Sequence, residues 1–396
     1  MTSPSPVETS AGLVVVGGGP AGLSAARAYR EGGGRGRVLM VSADRHPPYN
    51  RPPLSKDFLR GESEASALPL EDPSFYGGHE IELLLARSVA GLDLSARSVV
   101  LDDGERVPFL TVVLATGRGP AALPVPGGDH PALRFLRSRH HGEQLRDAVA
   151  SAGRVVVVGS GFIGCEAAVS LAARGTTVTM VSPEPLPQQE RLGAEVGERI
   201  AGWLREAGVR LLPGRSVIAV EDGRRLLLDD GSTCEADLVL VSTGAAPQGE
   251  LALEAGLATS EGRVVVDSHM RTQVPGVLAA GDIAFAHNDA AGRSLAVEHW
   301  GEALRMGEVA GTTAAGGDDT WAQVPGFWSE IGERTLKYAA WGDGHDDVRV
   351  VDHRDGGFTA WYSADGVLVG VLTHDADDDY EEGQSLVEKG APSETS

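Results

Sequence analysis

Cysteine is scarce in this chain. Only Cys165 and Cys234 occur in 396 residues, far apart and in no Cys-x-x-Cys pair. That excludes a disulfide scaffold and fits a reducing compartment. Positive charge is also short, with 34 Lys and Arg against 56 Asp and Glu, a formal charge of −22. A field of that sign repels nucleic acid and anionic membranes. No apolar run approaches the roughly 20 residues that span a bilayer. Met1 to Ser10 is polar, without a basic stretch leading into an apolar one, so it does not read as a signal peptide. The expectation is a cytoplasmic protein with no nucleic-acid partner, no membrane and no metal, either monomer or homodimer.

Glycine is abundant, with 53 residues, much of it in runs such as Gly17-Gly18-Gly19 and Gly32-Gly33-Gly34. Hydrophobic and charged contents of 42% and 23% are those of a globular protein. The length suits two or three domains. Leu13 to Val16 is an apolar run ending in glycines, followed by Ala and Leu at helical spacing from Ala21 to Tyr29, then an apolar run at Val38 to Val41. This reads as a βαβ unit whose parallel strands are buried on both faces. The order recurs at Arg154–Val158, the turn Gly159–Gly164, Glu166–Ala173 and Val178–Val181.

Two strands ending in small-residue turns, Val112–Gly117 and Leu238–Gly244, read as crossings between the units. The expected fold class is therefore α/β, with two Rossmann-like dinucleotide-binding domains and a small C-terminal α+β domain. The first domain would be discontinuous, 11–119 and 245–316. The second would be inserted at 120–244, the third would run over 317–384, and 1–10 and 385–396 would be flexible tails. The acidic run Asp375 to Glu382 reads as a solvated surface.

Gly17-Gly18-Gly19-Pro20-Ala21-Gly22 matches Gly-x-Gly-x-x-Gly. The first glycine permits a tight turn, the second lets a diphosphate approach the backbone, and the third lets the helix pack on its strand. The helix N-terminus then offers N–H groups and a partial positive charge. Asp44, about 20 residues beyond, can accept hydrogen bonds from a ribose. Gly159-Ser160-Gly161-Phe162-Ile163-Gly164 repeats the motif, and its second strand ends at Val181-Ser182. A carboxylate that chelates the ribose diol is usual at that place in NAD sites. Ser182 cannot chelate it, nor would it repel a 2′-phosphate. Glu184 is close enough to substitute, and Arg191 is the nearby cation. The choice between NADH and NADPH stays open, leaning to NADH because Arg191 stands alone.

Further motifs follow in order: Tyr49-Asn50-Arg51-Pro52-Pro53-Leu54-Ser55-Lys56, Ala115-Thr116-Gly117, Gly159 to Glu166, Ala280-Gly281-Asp282, Glu298-His299-Trp300 and Phe327-Trp328-Ser329. With these the chain resembles the FAD-dependent ferredoxin and rubredoxin reductases of oxygenase systems, a branch of the glutathione-reductase-like fold. The resemblance implies FAD on the first domain and NADH or NADPH on the second. It implies that Asp282 binds a ribityl hydroxyl and that Arg51 and Pro52 line the flavin and its diphosphate. Lys56 would sit near flavin N5, Glu166 would pair with Lys56 on the nicotinamide side, and Trp300 would pack beside the isoalloxazine. Lys56, Glu166 and Trp300 are thus the catalytic candidates. Ala115, Thr116, Gly117, Gly244, Gly281, Glu298 and His299 complete the cofactor set. His299 either tunes the flavin or only hydrogen-bonds.

The chain departs from the family's pattern in places. Arg118-Gly119-Pro120-Ala121 stands where the family has Ser-Arg-Pro-Arg, so an arginine that supports FAD is shifted or missing. Ala246, Gln248 and Glu330-Ile331 depart as well. The first domain has no cysteine before Cys165, so electrons would leave the flavin directly. Cys165 reads as a packing residue, and Cys234 falls in a turn. The implied acceptor is a ferredoxin-type iron–sulfur protein serving a cytochrome P450 or oxygenase. An NAD(P)H oxidase or quinone-type reductase, and a redox-dependent binding flavoprotein, are the alternatives. An acidic carrier needs a local basic patch. Arg305, Arg334 and Lys337 are one candidate, and Arg134, Arg137 and Arg139 another.

Overall fold

The computed structural model describes residues 11–395. The expected N-terminal tail, 1–10, lies outside them. Strand β1 (Ala11–Val16) runs into helix α1 (Pro20–Glu31), and β2 (Val38–Ser42) returns beside it. β3 (Ile81–Leu85) and β4 (Arg106–Leu114) extend the sheet, and β5 (Arg118–Pro120) leaves it. The second unit repeats the plan with β6 (Arg154–Val158), α2 (Phe162–Ala173), β7 (Thr177–Ser182), β8 (Arg210–Pro213) and β9 (Leu238–Val241). β10 (Ala245–Pro247) then pairs antiparallel with β5, so the two crossings form one two-stranded ribbon. The chain returns with β11 (Val277–Ala279) and α3 (Trp300–Ala314).

The first parallel sheet has the order β3-β2-β1-β4-β11, and an antiparallel pair, 98–101 and 89–93, extends it beyond β4. The second has the order β8-β7-β6-β9, again parallel. Strands β1 and β2 are buried at every position, and β6 at all but Arg154. That burial is why they read as unbroken apolar runs. In each sheet the strand order reverses beside the first strand, and ligands of such sheets bind at that point.

The C-terminal unit is a five-stranded antiparallel sheet. Its strands are β12 (Gly326–Ile331), β13 (Arg334–Ala340), β14 (Asp347–Asp352), β15 (Phe358–Ala364) and β16 (Val367–His374), with α4 (Asp377–Glu388) packed on it. Its apolar face shares one core with the second unit, where Ile331, Leu336 and Phe358 join Val155, Leu171 and Ile200. Two expected boundaries move. Trp321 belongs to the first unit's core, and its backbone bonds Ser268 and Asp289, so the third unit starts beyond 317. The stretch 385–396 was expected as a tail, yet α4 runs to Glu388, Val387 is buried, and Pro392 bridges to Val367. Asp377, Asp378 and Asp379 form the first turn of α4, where carboxylates offset the helix dipole. Among the described residues no helix is long and apolar enough to cross a membrane.

Candidate functional site

The two glycine turns obey the same steric rule. A Cβ on Gly17 (φ +126°) would meet the Ala115 carbonyl oxygen at 2.1 Å, and one on Gly22 would meet the Gly17 oxygen at 2.2 Å. The equivalents are 2.3 Å from Gly159 (φ +106°) to the Ser242 oxygen and 2.4 Å from Gly164 to the Gly159 oxygen. Each turn therefore crosses against the end of a neighbouring strand, and only glycine fits. Gly19 and Gly161 cap α1 and α2 in extended conformation without any side-chain cap. A Cβ there would approach only Arg51 Nη2 at 3.8 Å and Gln188 Nε2 at 3.7 Å, so both caps face open space. Pro20 opens α1 with its preset φ, followed by Ala21; Phe162 and Ile163 open α2, with Ile163 exposed. The free N–H groups of both first turns suit a diphosphate.

In the first cleft the Arg51 guanidinium makes no hydrogen bond among the described residues and lies beside the Tyr49 ring, while the Arg51 carbonyl accepts from the Leu54 N–H at 2.9 Å. Burial, followed by the neighbouring Arg137, pushes its guanidinium below the usual arginine range. A cation placed there against an uncapped helix N-terminus fits the dianionic diphosphate of FAD. Asp44 accepts from the Tyr49 hydroxyl at 2.8 Å and the His46 N–H at 3.0 Å, and the Arg139 N–H donates to Tyr49 Oη at 2.9 Å. Asp282 follows Gly281 (φ +78°), where a Cβ would meet that of Ala21 at 2.9 Å.

Arg137 donates to Asp282 at 2.9 Å and to the Arg118 carbonyl at 3.0 Å, beside Gly117. A second-unit residue, Arg137, thus bridges Asp282 and the Arg118 carbonyl of the first unit. Arg118 pairs with Glu298, which also accepts from Arg263 at 2.8 Å. Thr116 donates to the Gln248 carbonyl at 2.8 Å, tying Ala115-Thr116-Gly117 to the returning chain. The Arg134, Arg137 and Arg139 patch therefore does not exist. Arg137 turns into the cleft, Arg139 pairs with Glu143, and Arg134 donates to the carbonyls of Pro131 and Ala132.

The three units meet at one carboxylate. Glu166, 2% exposed, accepts from Lys56 Nζ at 2.9 Å and Ser55 Oγ at 2.5 Å through Oε2. Its Oε1 accepts from Ser329 Oγ at 2.7 Å and the Glu330 N–H at 3.2 Å. Lys56 also donates to the carbonyl of Pro52 at 3.3 Å. Beside this junction the His299 ring lies 4.5 Å from that of Phe327, which also meets Phe162 at 4.8 Å. Burial, then Arg191, pushes His299 down to about 3, so its ring is neutral. Trp300 is half-buried at the start of α3.

One residue that sequence reasoning missed lies two positions on. Glu302 accepts from Trp321 Nε1 at 2.9 Å, Arg305 at 2.7 Å and the Gly326 N–H at 3.4 Å. Burial raises its carboxyl. Strand β12 is thus held by two buried carboxylates, Glu302 from α3 and Glu166 from α2.

In the second cleft Ser182 is buried at the end of β7, its hydroxyl 2.7 Å from that of Ser160. Glu184 follows with its carboxyl raised by burial and by Glu190. Arg191 is exposed and adds positive charge near His299 and Tyr338. Gly244 (φ +111°) ends the crossing, with open space where a Cβ would stand. Cys165 is buried on α2, its thiol raised by burial. Cys234 sits in the strand 233–235 rather than in a turn, with its thiol also raised by burial. Neither forms a disulfide.

Two uncapped phosphate-type turns on tandem parallel sheets, facing a shared Lys–Glu junction, define a two-dinucleotide oxidoreductase. The chain belongs to the pyridine nucleotide-disulphide oxidoreductase family, which it matches over residues 11–307. It is an NAD(P)H-dependent FAD oxidoreductase. It is 33% identical over 384 residues to the ferredoxin reductase component of chlorobenzene dioxygenase from Cupriavidus sp. (strain PS12), covering 96% of this chain and 93% of that one. It is 32% identical to rubredoxin-NAD(+) reductase of Pseudomonas putida, covering 82% and 85%. Putidaredoxin reductase, in its covalent complex with putidaredoxin, superimposes with a TM-score of 0.90 at 29% identity, covering 96% and 93%.

Proposed function

We propose that this chain takes hydride from NAD(P)H onto FAD and delivers single electrons to a ferredoxin-type iron–sulfur protein, which in turn serves a cytochrome P450 or oxygenase. The absence of a thiol pair carries the reading. The family is named for disulphide chemistry, yet residues 11–164 contain no cysteine and Cys165 is buried on α2. Similarity to the oxygenase-system reductases supports the same acceptor class.

Bound FAD would supply the redox chemistry, and the protein supplies position and charge. Arg51 and the N-terminus of α1 would hold its diphosphate, and Asp282 its ribityl chain. The Lys56 ammonium, fixed by Glu166 and the Pro52 carbonyl, would keep positive charge at the junction where the two clefts meet. Neutral His299 and Phe327 would line that junction with their packed rings.

The acceptor would dock on the exposed face of β12 and β13. Trp328 is 43% exposed there and pairs across the strands with Lys337. Lys337 is shared with Asp377 at 2.7 Å and Arg305 with Glu302, while Arg334 is 3.7 Å from Glu206. This face is therefore only weakly positive, and steering by charge is modest. Cytochrome c reduction by the holoenzyme and NADH or NADPH tests the reading. Dependence on added ferredoxin supports it, and rapid oxygen consumption unaffected by ferredoxin overturns it.

A further inference from the structure

Among the described residues, no free carboxylate stands at the end of β7 in the second cleft. Ser182 occupies the end of β7 and its hydroxyl is already engaged, by the Ser160 hydroxyl at 2.7 Å and by the Glu184 N–H at 3.2 Å. The Glu184 carboxylate does not replace it. It faces the N–H groups of Gln188 and Gln189 at the start of the short helix Gln189–Leu192. Gln188 closes that side by donating to the Ser160 carbonyl at 3.1 Å.

The adjacent strand brings a cation, invisible to the local sequence, to the end of β7. The chain leaving β8 runs alongside the chain leaving β7. The Arg215 N–H donates to the Ser182 carbonyl at 2.9 Å, and the Gly214 N–H to the Glu184 carbonyl at 3.1 Å. The Arg215 guanidinium is 44% exposed, held by Asp230 at 2.7 Å and by the Gly214 carbonyl at 3.0 Å. An exposed pair of this kind is weak and exchanges readily. A phosphate dianion offers the guanidinium a stronger, bidentate partner. Arg191 places its charge near His299 and Tyr338 instead.

We infer that the second cleft prefers a 2′-phosphorylated dinucleotide, with Arg215 as the cation for the 2′-phosphate and Ser182 as the uncharged neighbour that admits it. The inference rests on the second unit holding NAD(P)H, and it goes beyond that reading by naming the phosphorylated form. It also runs against the expectation drawn from Arg191 alone.

Isothermal titration of the FAD-loaded protein with 2′,5′-ADP and with 5′-AMP tests it, since the two probes differ only in the 2′-phosphate. The expected result is about tenfold tighter binding of 2′,5′-ADP, equal to ~1.4 kcal/mol. Arg215→Ala should bring the ratio close to one and leave 5′-AMP unchanged, and Arg215→Gln should do the same. Equal affinity for the two probes, or a preference that survives both substitutions, would overturn the inference alone. If neither probe bound, the assignment of this cleft to a dinucleotide would fall, and the inference with it.

Discussion

Lys56 and Glu166 lie 2.9 Å apart, buried, at a point where all three structural units touch. The carboxylate is on the second unit and the ammonium on the first, while the hydroxyl of Ser329 from the third closes the other side of the same carboxylate at 2.7 Å. Lys56→Met removes the ammonium beside the cofactor junction. Flavin reduction by NAD(P)H should slow about tenfold or more, the effect of ~1.4 kcal/mol on a barrier. Stopped-flow absorbance in the flavin band measures it. Unchanged reduction kinetics would remove Lys56 from the mechanism.

Glu166→Ala should act on stability as well as on rate. It leaves a buried ammonium, two hydroxyls and an N–H without their acceptor. Removing one partner of a buried ion pair costs about 3–5 kcal/mol. Guanidinium unfolding should show that loss, and Ser329→Ala, which removes a single hydrogen bond, should cost only about 1 kcal/mol. Equal effects from the two would mean that Lys56 finds another partner.

Arg51 carries the third test. Among the described residues no carboxylate hydrogen-bonds its half-buried guanidinium, which leaves those donors available to an anion in the cleft. Arg51→Met should weaken FAD binding by about 10- to 100-fold, as expected for losing a charge-assisted hydrogen bond of ~1.5–3 kcal/mol. Apoprotein fluorescence titration with FAD reads it directly, and the apoprotein itself should be no less stable.

The glycine turns were legible in sequence because their requirement is local. The Cβ of Gly17 or Gly159 has nowhere to go, whatever the rest of the chain does. The paired apolar runs were legible for a similar reason, since parallel strands buried on both faces leave no polar positions. The partners of Glu166 were only half visible. Lys56 follows from the family pattern, but Ser329 lies 163 residues away, and nothing local marks a serine as an anchor. Arg215 was hidden because its neighbour, Ser182, is set by the exit of an adjacent parallel strand. Arg137 looked like surface because its cluster is basic, whereas its partner Asp282 is 145 residues away. The last helix was missed because the run Asp375 to Glu382, which covers its start, reads as solvated charge, and its buried Val387 lies beyond that run.

Helix packing beside the first cleft gives a further test. A Cβ on Gly307 would meet the Ala21 carbonyl oxygen at 2.3 Å, so α1 and α3 touch backbone to backbone. Gly307→Ala must push the helices apart. Overpacking of this kind costs about 1–3 kcal/mol, and it would displace Ala21 in the glycine turn. Both melting temperature and FAD affinity should fall together. A loss of stability with FAD affinity intact would show that the turn is held by β1 and β4 alone.

Glu302 makes the pH dependence specific. Burial raises its carboxyl above the ordinary 4.5, with Arg305 and Trp321 opposing the shift only in part. Folding therefore favours the protonated form relative to the unfolded chain, whose carboxyl titrates near 4.5. The contribution is fully present below pH 4.5 and is lost as pH rises through the folded value. The groups facing it are Arg305 on its own helix, Trp321, the Gly326 N–H and, through charge, Tyr380. Glu302→Gln keeps the hydrogen-bonding shape and removes the titration. The stability of the wild type relative to this variant should therefore decline from pH 4.5 toward neutrality, as urea unfolding at successive pH values would show. A flat difference across that range would mean that Arg305 holds the carboxylate charged at every pH, and that β12 is anchored by an ion pair rather than by a titrating acid.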